Sequence, residues 1–393
     1  MNKRNQNSVE NINQLNNSKS AGIYLHIPFC KTRCTYCDFY TLTNESQIDN
    51  FVKAICSEAA LRSVEGRENI KTIYFGGGTP SRLNNSQFEK IFESLFKNYS
   101  IDANAEITVE ANPDDLSEEY IKRLSELPVN RLSIGIQSFN DDELIFLSRR
   151  HSSQQAIDSV KLAQKYGFNN ISVDLMYGLP NQTIAIWEDN LKQVTDLGIQ
   201  HLSAYHLIYE KKTRMYNLLK AGKIKPVDEE LSTQMFSMLI DWMTSHGFIQ
   251  YEISAFGKEG FFSQHNTSYW KNRKYIGLGP AAHSYDGFDR SWNIASLIKY
   301  MEGVESGILE HQTEYLTLNE KYNEFILTGL RTMWGVDLRE MKTIFGEELY
   351  NYCIENSQRY INIGKLTIQE DILKLTREGI FISDGIMSDL MKI

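Results

Sequence analysis

Short apolar runs and helical patterns alternate along the first half of the chain, and this alternation limits the fold more than any other feature. Six runs rich in β-branched and apolar residues predict strands at 21–27, 71–75, 106–109, 131–136, 171–175 and 201–207. Strands that alternate with helices form parallel sheets with crossover helices. The pattern therefore predicts an α/β fold built on a partial parallel (β/α)6 barrel.

The rest of the chain divides around this barrel. Helices are predicted at 47–64, 86–96, 117–127, 141–166 and 187–197, between the strands, and at 231–246 after them. A further strand is predicted at 250–255. Residues 1–20 are rich in asparagine and lack the apolar centre of a signal peptide, which predicts a disordered leader.

Three cysteines lie close together directly after the first predicted strand. Cys30, Cys34 and Cys37 have the spacing C-x3-C-x2-C and follow an apolar approach. Thiolates are the usual ligands of iron–sulfur clusters, and such short spacings let them share one metal centre. Three ligands would leave a fourth position open for another molecule. The motif therefore indicates a site for chemistry.

A structural zinc site is the main alternative use of these cysteines. Such a site normally has four protein ligands in two separated pairs, and His26 is the candidate fourth ligand here. A disulfide framework fits less well, because five cysteines in 393 residues are few for a secreted scaffold. The residues favour an iron–sulfur site and leave zinc open.

The cysteine motif and the preceding Y-x-H-I-P-F resemble the radical S-adenosylmethionine (SAM) superfamily. The branch most similar contains oxygen-independent coproporphyrinogen dehydrogenases and HemW-type haem chaperones, and the resemblance covers nearly all of the chain after residue 20. It implies that Cys30, Cys34 and Cys37 hold a [4Fe-4S] cluster. It also implies that SAM binds the fourth iron, where one-electron reduction can cleave it to a deoxyadenosyl radical.

Polar residues or glycines end the predicted strands, where a parallel barrel builds its site. We therefore expect them to meet at one mouth. The resemblance implies that several of them bind SAM, together with a tyrosine of the first strand. The implied SAM contacts are Tyr24, Gly77, Gly78, Thr79, Glu110, Gln137, Arg149 and Asp174. The neighbouring Arg150 leaves the choice of arginine open.

A second informative stretch, His265-Asn-Thr-Ser-Tyr269-Trp270, lies beyond the barrel. A histidine beside aromatic residues is most often a hydrogen-bonded core residue, and composition alone favours that interpretation. The string HNxxYW, however, resembles the signature of the HemW-type branch, where it is associated with haem handling. The resemblance implies His265 as candidate axial ligand, with Tyr269 and Trp270 as pocket walls.

The last part of the chain resembles the C-terminal domain of the same branch, which is helical and winged-helix-like. A helical pattern covers 322–333, a hairpin-like alternation covers 365–383, and 376–379 predicts a turn. The expected domains are a disordered leader, the radical SAM partial barrel, an extension containing HNxxYW, and this C-terminal domain. Their bounds are 1–20, 21–250, 251–317 and 318–393.

Charge and hydropathy exclude other classes of function. A net charge of −9 argues against general nucleic-acid binding. No apolar stretch approaches the roughly 20 residues of a transmembrane helix. Cysteines without an export signal, and a cluster sensitive to oxygen, predict a cytoplasmic protein.

Three functions remain after this exclusion. The first is a haem chaperone, which binds haem, a [4Fe-4S] cluster and SAM and delivers haem to respiratory acceptor proteins. The second is a coproporphyrinogen III dehydrogenase, and the third is a radical SAM enzyme with another substrate. Phe39 stands where the dehydrogenase pattern has a further cysteine, and only 29 residues precede Cys30. Together with the HNxxYW string, these features favour the haem chaperone. The sequence leaves open whether two copies of the chain form a homodimer.

Overall fold

The structure, a computed structural model, describes residues 20–66 and 68–393. The predicted leader therefore lies outside the described residues, except for Ser20. The strands are β1 (Ser20–Ile27), β2 (Asn69–Gly77), β3 (Ile101–Ala111), β4 (Arg131–Gln137), β5 (Ile171–Tyr177), β6 (His201–His206), β7 (Ile249–Glu252), β8 (Ala255–Gly257), β9 (Tyr275–Leu278), β10 (His283–Tyr285), β11 (Arg290–Asn293), β12 (His311–Glu314), β13 (Val336–Asp337), β14 (Leu366–Gln369) and β15 (Ile372–Leu375).

The helices alternate with these strands in the first half of the chain and dominate its end. They are α1 (Ile48–Leu61), α2 (Asn85–Asn98), α3 (Glu118–Leu124), α4 (Asp141–Phe146), α5 (Ser153–Lys165), α6 (Ile184–Asp196), α7 (Arg214–Lys220), α8 (Glu229–Ser245), α9 (Gln264–Trp270), α10 (Leu297–Ser306), α11 (Leu318–Leu330), α12 (Leu338–Asn362), α13 (Arg377–Ile380) and α14 (Ser383–Leu390). Among the described residues, no helix is both long and apolar enough to cross a membrane.

Twelve strands form one sheet in the order β12-β11-β10-β9-β1-β2-β3-β4-β5-β6-β8-β7. The strands from β9 to β6 in this order pair in parallel, and the outer pairs are antiparallel. The predicted α/β class with a parallel sheet is confirmed. The sequence did not predict β9, a parallel neighbour of β1, because it is only four residues long and distant in the chain.

Two local predictions were wrong. The stretch 250–255 is not one strand, because the backbone turns between β7 and β8. At this turn the N–H of Ser254 donates to the Glu252 carboxylate at 3.0 Å. The predicted turn at 376–379 is mostly the short helix α13, which begins because the Thr376 hydroxyl accepts the N–H of Gly379 at 3.1 Å.

The barrel strands have one apolar and one polar face, and both are buried. In β2, Ile73 and Phe75 point to the helices, where the Phe75 ring lies 5.2 Å from that of Phe88 in α2. The alternate positions point into the barrel and carry buried polar groups, among them Thr72 in β2 and Glu106 in β3. This alternation with a period of two places polar side chains inside the barrel.

The C-terminal part has a core of its own. Its three-stranded sheet has the order β13-β15-β14, and α11, α12 and α14 pack on it around the buried Tyr322 and Leu373. A small sheet packed with helices is the winged-helix-like arrangement that the sequence predicts. The strands of 251–317 join both edges of the barrel sheet, and the predicted domain bounds stay a prediction.

Candidate functional site

A cavity of about 500 Å³ lies at the carboxyl ends of the barrel strands, and we call it the mouth cavity. It contains the three cysteines and most residues that the resemblance implies for SAM. The predicted residues that line it are Cys30, Cys34, Cys37, Gly77, Gly78, Thr79, Glu110, Gln137, Arg149 and Asp174. Residues that end separate strands are therefore brought together, as parallel pairing requires.

Two of the three cysteine sulfurs receive hydrogen bonds from residues of this cavity. The Thr79 hydroxyl donates to Cys30 Sγ at 3.3 Å, and the Arg149 guanidinium donates to Cys34 Sγ at 3.3 Å. Burial raises the pKa of the Cys30 thiol to about 11. A bound metal centre would displace that proton, since metals bind thiolates.

The zinc alternative loses its proposed fourth ligand in this structure. His26 is buried, and its Nε2 lies 2.9 Å from the backbone oxygen of Tyr40. Its Nδ1 lies 3.2 Å from the Tyr24 hydroxyl. Both ring nitrogens are therefore engaged. Three thiols around one open cavity fit an iron–sulfur cluster better than a closed zinc site.

The glycine turn after β2 is required by the backbone as well as by any ligand. Gly77 has a φ of +105°, which favours glycine. A Cβ on Gly78 would lie 2.8 Å from the backbone oxygen of Ile27 and 2.9 Å from that of Phe29. The turn therefore packs directly against the chain that leads to the cysteines.

Arg149 and Arg150 have different surroundings. The Arg149 guanidinium donates to Asn112 Oδ1 at 2.5 Å and to the backbone oxygen of Gly135, while its buried Nε finds no partner among the described residues. Arg150 instead pairs with Asp114 at 2.6 Å. Arg149 lines the mouth cavity and Arg150 does not, so Arg149 is the better placed of the two for a ligand carboxylate.

Two carboxyls lie deep in the mouth cavity. Burial raises the pKa of Glu110 to about 7, and the nearby charge of Asp174 adds to the rise although Tyr74 donates to Glu110 at 2.7 Å. Burial likewise raises the pKa of Asp174 to about 6, opposed by hydrogen bonds from Ser203 and Ser133. The pair offers acceptors for hydroxyl or ammonium groups of a ligand.

Gln137 has an unusual backbone at the end of β4. Its φ is +74°, which is uncommon for a residue with a side chain, and the pairing of β4 with β5 shifts register between Gly135 and Gln137. Backbone strain of this kind is concentrated at functional sites. Its position at the mouth cavity fits the role that the resemblance implies.

Tyr24 lies inside the barrel, outside the set of residues that line the mouth cavity. Its ring stacks against Tyr74 at 6.3 Å and against His265 at 6.4 Å. Since Tyr74 in turn donates to Glu110, Tyr24 is one layer removed from the cavity. A direct contact between Tyr24 and SAM stays a prediction.

His265 is fully buried near the amino ends of the barrel strands. Its Nδ1 lies 2.7 Å from the Thr72 hydroxyl and its Nε2 lies 2.7 Å from the Tyr269 hydroxyl. The Glu106 carboxylate accepts the N–H of His265 at 3.0 Å and holds the start of α9. This geometry favours the core-histidine interpretation, because iron ligation would require breaking one of these side-chain hydrogen bonds.

Trp270 lies apart from the other two haem candidates. It borders a second cavity, between the end of α9 and the C-terminal domain, and the Arg331 guanidinium lies 5.2 Å from its ring. His265 and Tyr269 do not line that cavity. The structure therefore separates the predicted haem ligand from one of its predicted pocket walls.

Several residues of the site were missed by the sequence interpretation. Asn112 links Arg149 to Thr79, to which it donates at 3.2 Å, and Ser133, Met176 and Tyr36 also line the mouth cavity. The sequence signal that could have identified some of them is a polar residue at every second position of a buried strand. Ser133 and Asp174 follow this pattern, but a loop residue such as Asn112 carries no such mark.

The parallel barrel with a three-cysteine loop at its mouth defines a radical SAM protein. The profile of the Radical SAM superfamily matches residues 24–194, and the profile of the HemN C-terminal domain matches residues 316–382.

The chain belongs to the HemW family of radical SAM proteins. It is 36% identical over 360 residues to the heme chaperone HemW of Bacillus subtilis. The aligned residues make up 91% of this chain and 95% of that relative. It is 33% identical over 379 residues to the heme chaperone HemW of Lactococcus lactis. That alignment covers 95% of this chain and 98% of the relative.

Two further relatives widen the comparison. The mitochondrial radical S-adenosyl methionine domain-containing protein 1 of Danio rerio is 34% identical over 388 residues, covering 94% of this chain and 87% of the relative. The solved structure of coproporphyrinogen III oxidase (HemN) from Escherichia coli is 20% identical, with a TM-score of 0.82 over 97% of this chain and 92% of that one. The latter similarity concerns the fold alone.

Proposed function

We propose that this protein is a haem chaperone that carries a [4Fe-4S] cluster and SAM and delivers haem to respiratory acceptor proteins. The observation that carries the proposal is 36% identity to a protein named heme chaperone HemW over 91% of the chain. Free thiols at all the cysteines of the described chain suit a reducing compartment, so we place the function in the cytoplasm.

The mouth cavity is the proposed place of the cluster and SAM. Cys30, Cys34 and Cys37 would hold three irons, and the bound cluster and SAM would supply one-electron chemistry. Arg149 and the Gly77–Thr79 turn line this cavity, and the Arg149 guanidinium would face the carboxylate of SAM. Glu110, with Gln137 and Asp174, would receive the remaining polar groups of SAM.

The alternative is coproporphyrinogen decarboxylation. The fold does not separate the two functions, because the similar solved structure is itself named a coproporphyrinogen III oxidase. Phe39 separates them better, since it replaces the further cysteine of the dehydrogenase pattern. Its side chain is 59% exposed and borders the mouth cavity. We therefore retain haem delivery as the proposed function.

The test measures transfer of haem under anaerobic conditions. Protein with a reconstituted cluster is loaded with one equivalent of haem and mixed with respiratory membranes depleted of haem, and formation of cytochrome is followed by absorbance. Direct delivery predicts a rate that rises with the concentration of the acceptor. A rate that equals spontaneous dissociation of haem at every acceptor concentration would remove the chaperone proposal.

A further inference from the structure

The cavity that Trp270 borders is larger than the mouth cavity, and we call it the interdomain cleft. Its volume is about 630 Å³, against about 500 Å³ for the mouth cavity. This lies inside the range of roughly 300–1,000 Å³ that ligand cavities occupy. Residues 270–273 line one side, while α11, α12 and the Trp334 turn line the other.

Aromatic side chains supply much of the cleft surface. Trp270 and Trp334 are both partly exposed, and Phe325 and Phe345 also line the cleft, with ring centres 5.4 Å apart. The Lys271 ammonium lies 4.2 Å from the Trp334 ring centre, within cation–π distance. Two indoles bordering one cavity suit a flat, aromatic ligand.

The charged groups of the cleft favour an anionic ligand. Lys271, Arg273 and Lys321 border it as cations. Two of its acids are already engaged, because Glu324 pairs with Arg290 at 3.0 Å and Asp337 accepts two N–H groups at the start of α12. The third acid is Glu340, whose pKa is raised by burial. Because two of the three acids are engaged, the cations remain available to ligand carboxylates.

We propose that the interdomain cleft binds a tetrapyrrole dicarboxylate through its ring and carboxylates, with Trp270 and Trp334 against the ring and Lys271 and Lys321 at the carboxylates. The proposal rests on the proposed function, whose cargo has this chemistry. Among the described residues that line the cleft there is no histidine, cysteine or methionine, and the hydroxyl of Tyr285 donates to the backbone oxygen of Gly287 at 2.9 Å. The cleft therefore recognises the macrocycle and not the iron, which allows later release of haem.

This assignment also explains how the HNxxYW string can serve haem without ligation by His265. His265 fixes α9 inside the barrel through Thr72, Tyr269 and Glu106. Trp270, at the other end of the same helix, is thereby held at the cleft.

The test compares haem with metal-free protoporphyrin IX on the full-length protein carrying its cluster. Both ligands are titrated by absorbance, and we expect their dissociation constants to agree within about threefold. Trp334→Leu and Lys321→Glu should each weaken both ligands about tenfold or more, with unchanged cluster absorption. Trp242→Leu and Lys161→Glu are matched controls on α8 and α5 and should bind as the unmodified protein does.

Each contrary outcome points to a different error. Unchanged affinity in Trp334→Leu and Lys321→Glu would overturn the cleft while leaving haem binding intact. Haem binding without protoporphyrin IX binding would show that iron is recognised and would also overturn the cleft. If the unmodified protein bound neither ligand, the proposed function would fall with it. Lys321→Glu changes a partly exposed side chain, so it keeps the test valid if Trp334→Leu misfolds.

Discussion

Glu110 makes the stability of the ligand-free protein depend on pH in a direction opposite to that of most carboxyls. Its enclosure at the mouth cavity raises the pKa from 4.5 to about 7. The folded protein therefore holds this proton more tightly than the unfolded chain does. The resulting stabilisation is fully present below pH 4.5 and is lost as the pH rises through about 7.

The size of the effect follows from the same two values. A rise of the pKa from 4.5 to about 7 corresponds to about 3 kcal/mol of unfolding free energy once Glu110 is ionised in both states. Glu110→Gln keeps an acceptor for the Tyr74 hydroxyl, which donates to Oε1 at 2.7 Å, but removes the charge. The variant should therefore be more stable than the unmodified protein at pH 8 and gain little at pH 5.

Thermal unfolding at pH 5 and pH 8, followed by circular dichroism without cluster or SAM, checks this prediction. We expect Glu110→Gln to melt several degrees higher at pH 8, since about 1 kcal/mol moves the melting temperature of a large domain by about 2–4 °C. Glu89→Gln, an exposed acid on α2, is the matched control. If both variants kept the pH dependence of the unmodified protein, Glu110 would be ionised throughout and the argument from enclosure would fail.

Three other predictions test the site residue by residue. Gly78→Ala should destabilise the barrel by about 1–3 kcal/mol and lower cluster occupancy, because its Cβ would meet backbone oxygens at 2.8 and 2.9 Å. Gly385→Ala, with open space around it, should cost nothing in thermal unfolding. His265→Ala should lower stability by about 2–5 kcal/mol, since two buried hydroxyls lose their partner, and unaltered melting would contradict a core role. Alanine at any one of the three mouth cysteines should abolish cluster absorption and leave circular dichroism unchanged, and full iron content would exclude that cysteine as a ligand.

Local patterns in the sequence predict the barrel and its mouth well. The six strands begin within two residues of their predicted starts, except β3. This strand begins five residues early, because Asp102 and Asn104 interrupt the apolar pattern at its start. The three cysteines and the glycine turn were recognisable because their spacing is short. Glu110 and Asp174 were recognisable because parallel strands bring their carboxyl ends to one edge.

What the sequence does not predict depends on contacts between distant segments. His265 meets Thr72 and Glu106, which lie more than 150 positions earlier in the chain, so its place inside the barrel has no local signature. The interdomain cleft likewise brings together Trp270 and Trp334, which are distant in the sequence. Such sites require the tertiary structure, because neither wall is a binding surface alone.

The most direct test of haem delivery against porphyrin decarboxylation is an anaerobic turnover assay. Protein with an intact cluster receives a low-potential reductant, SAM and coproporphyrinogen III, and decarboxylated porphyrin is measured by fluorescence after oxidation. The proposed function predicts no product over many equivalents of substrate from a preparation that binds haem one to one. Multiple turnover would contradict it and would show that Phe39 does not exclude the enzyme.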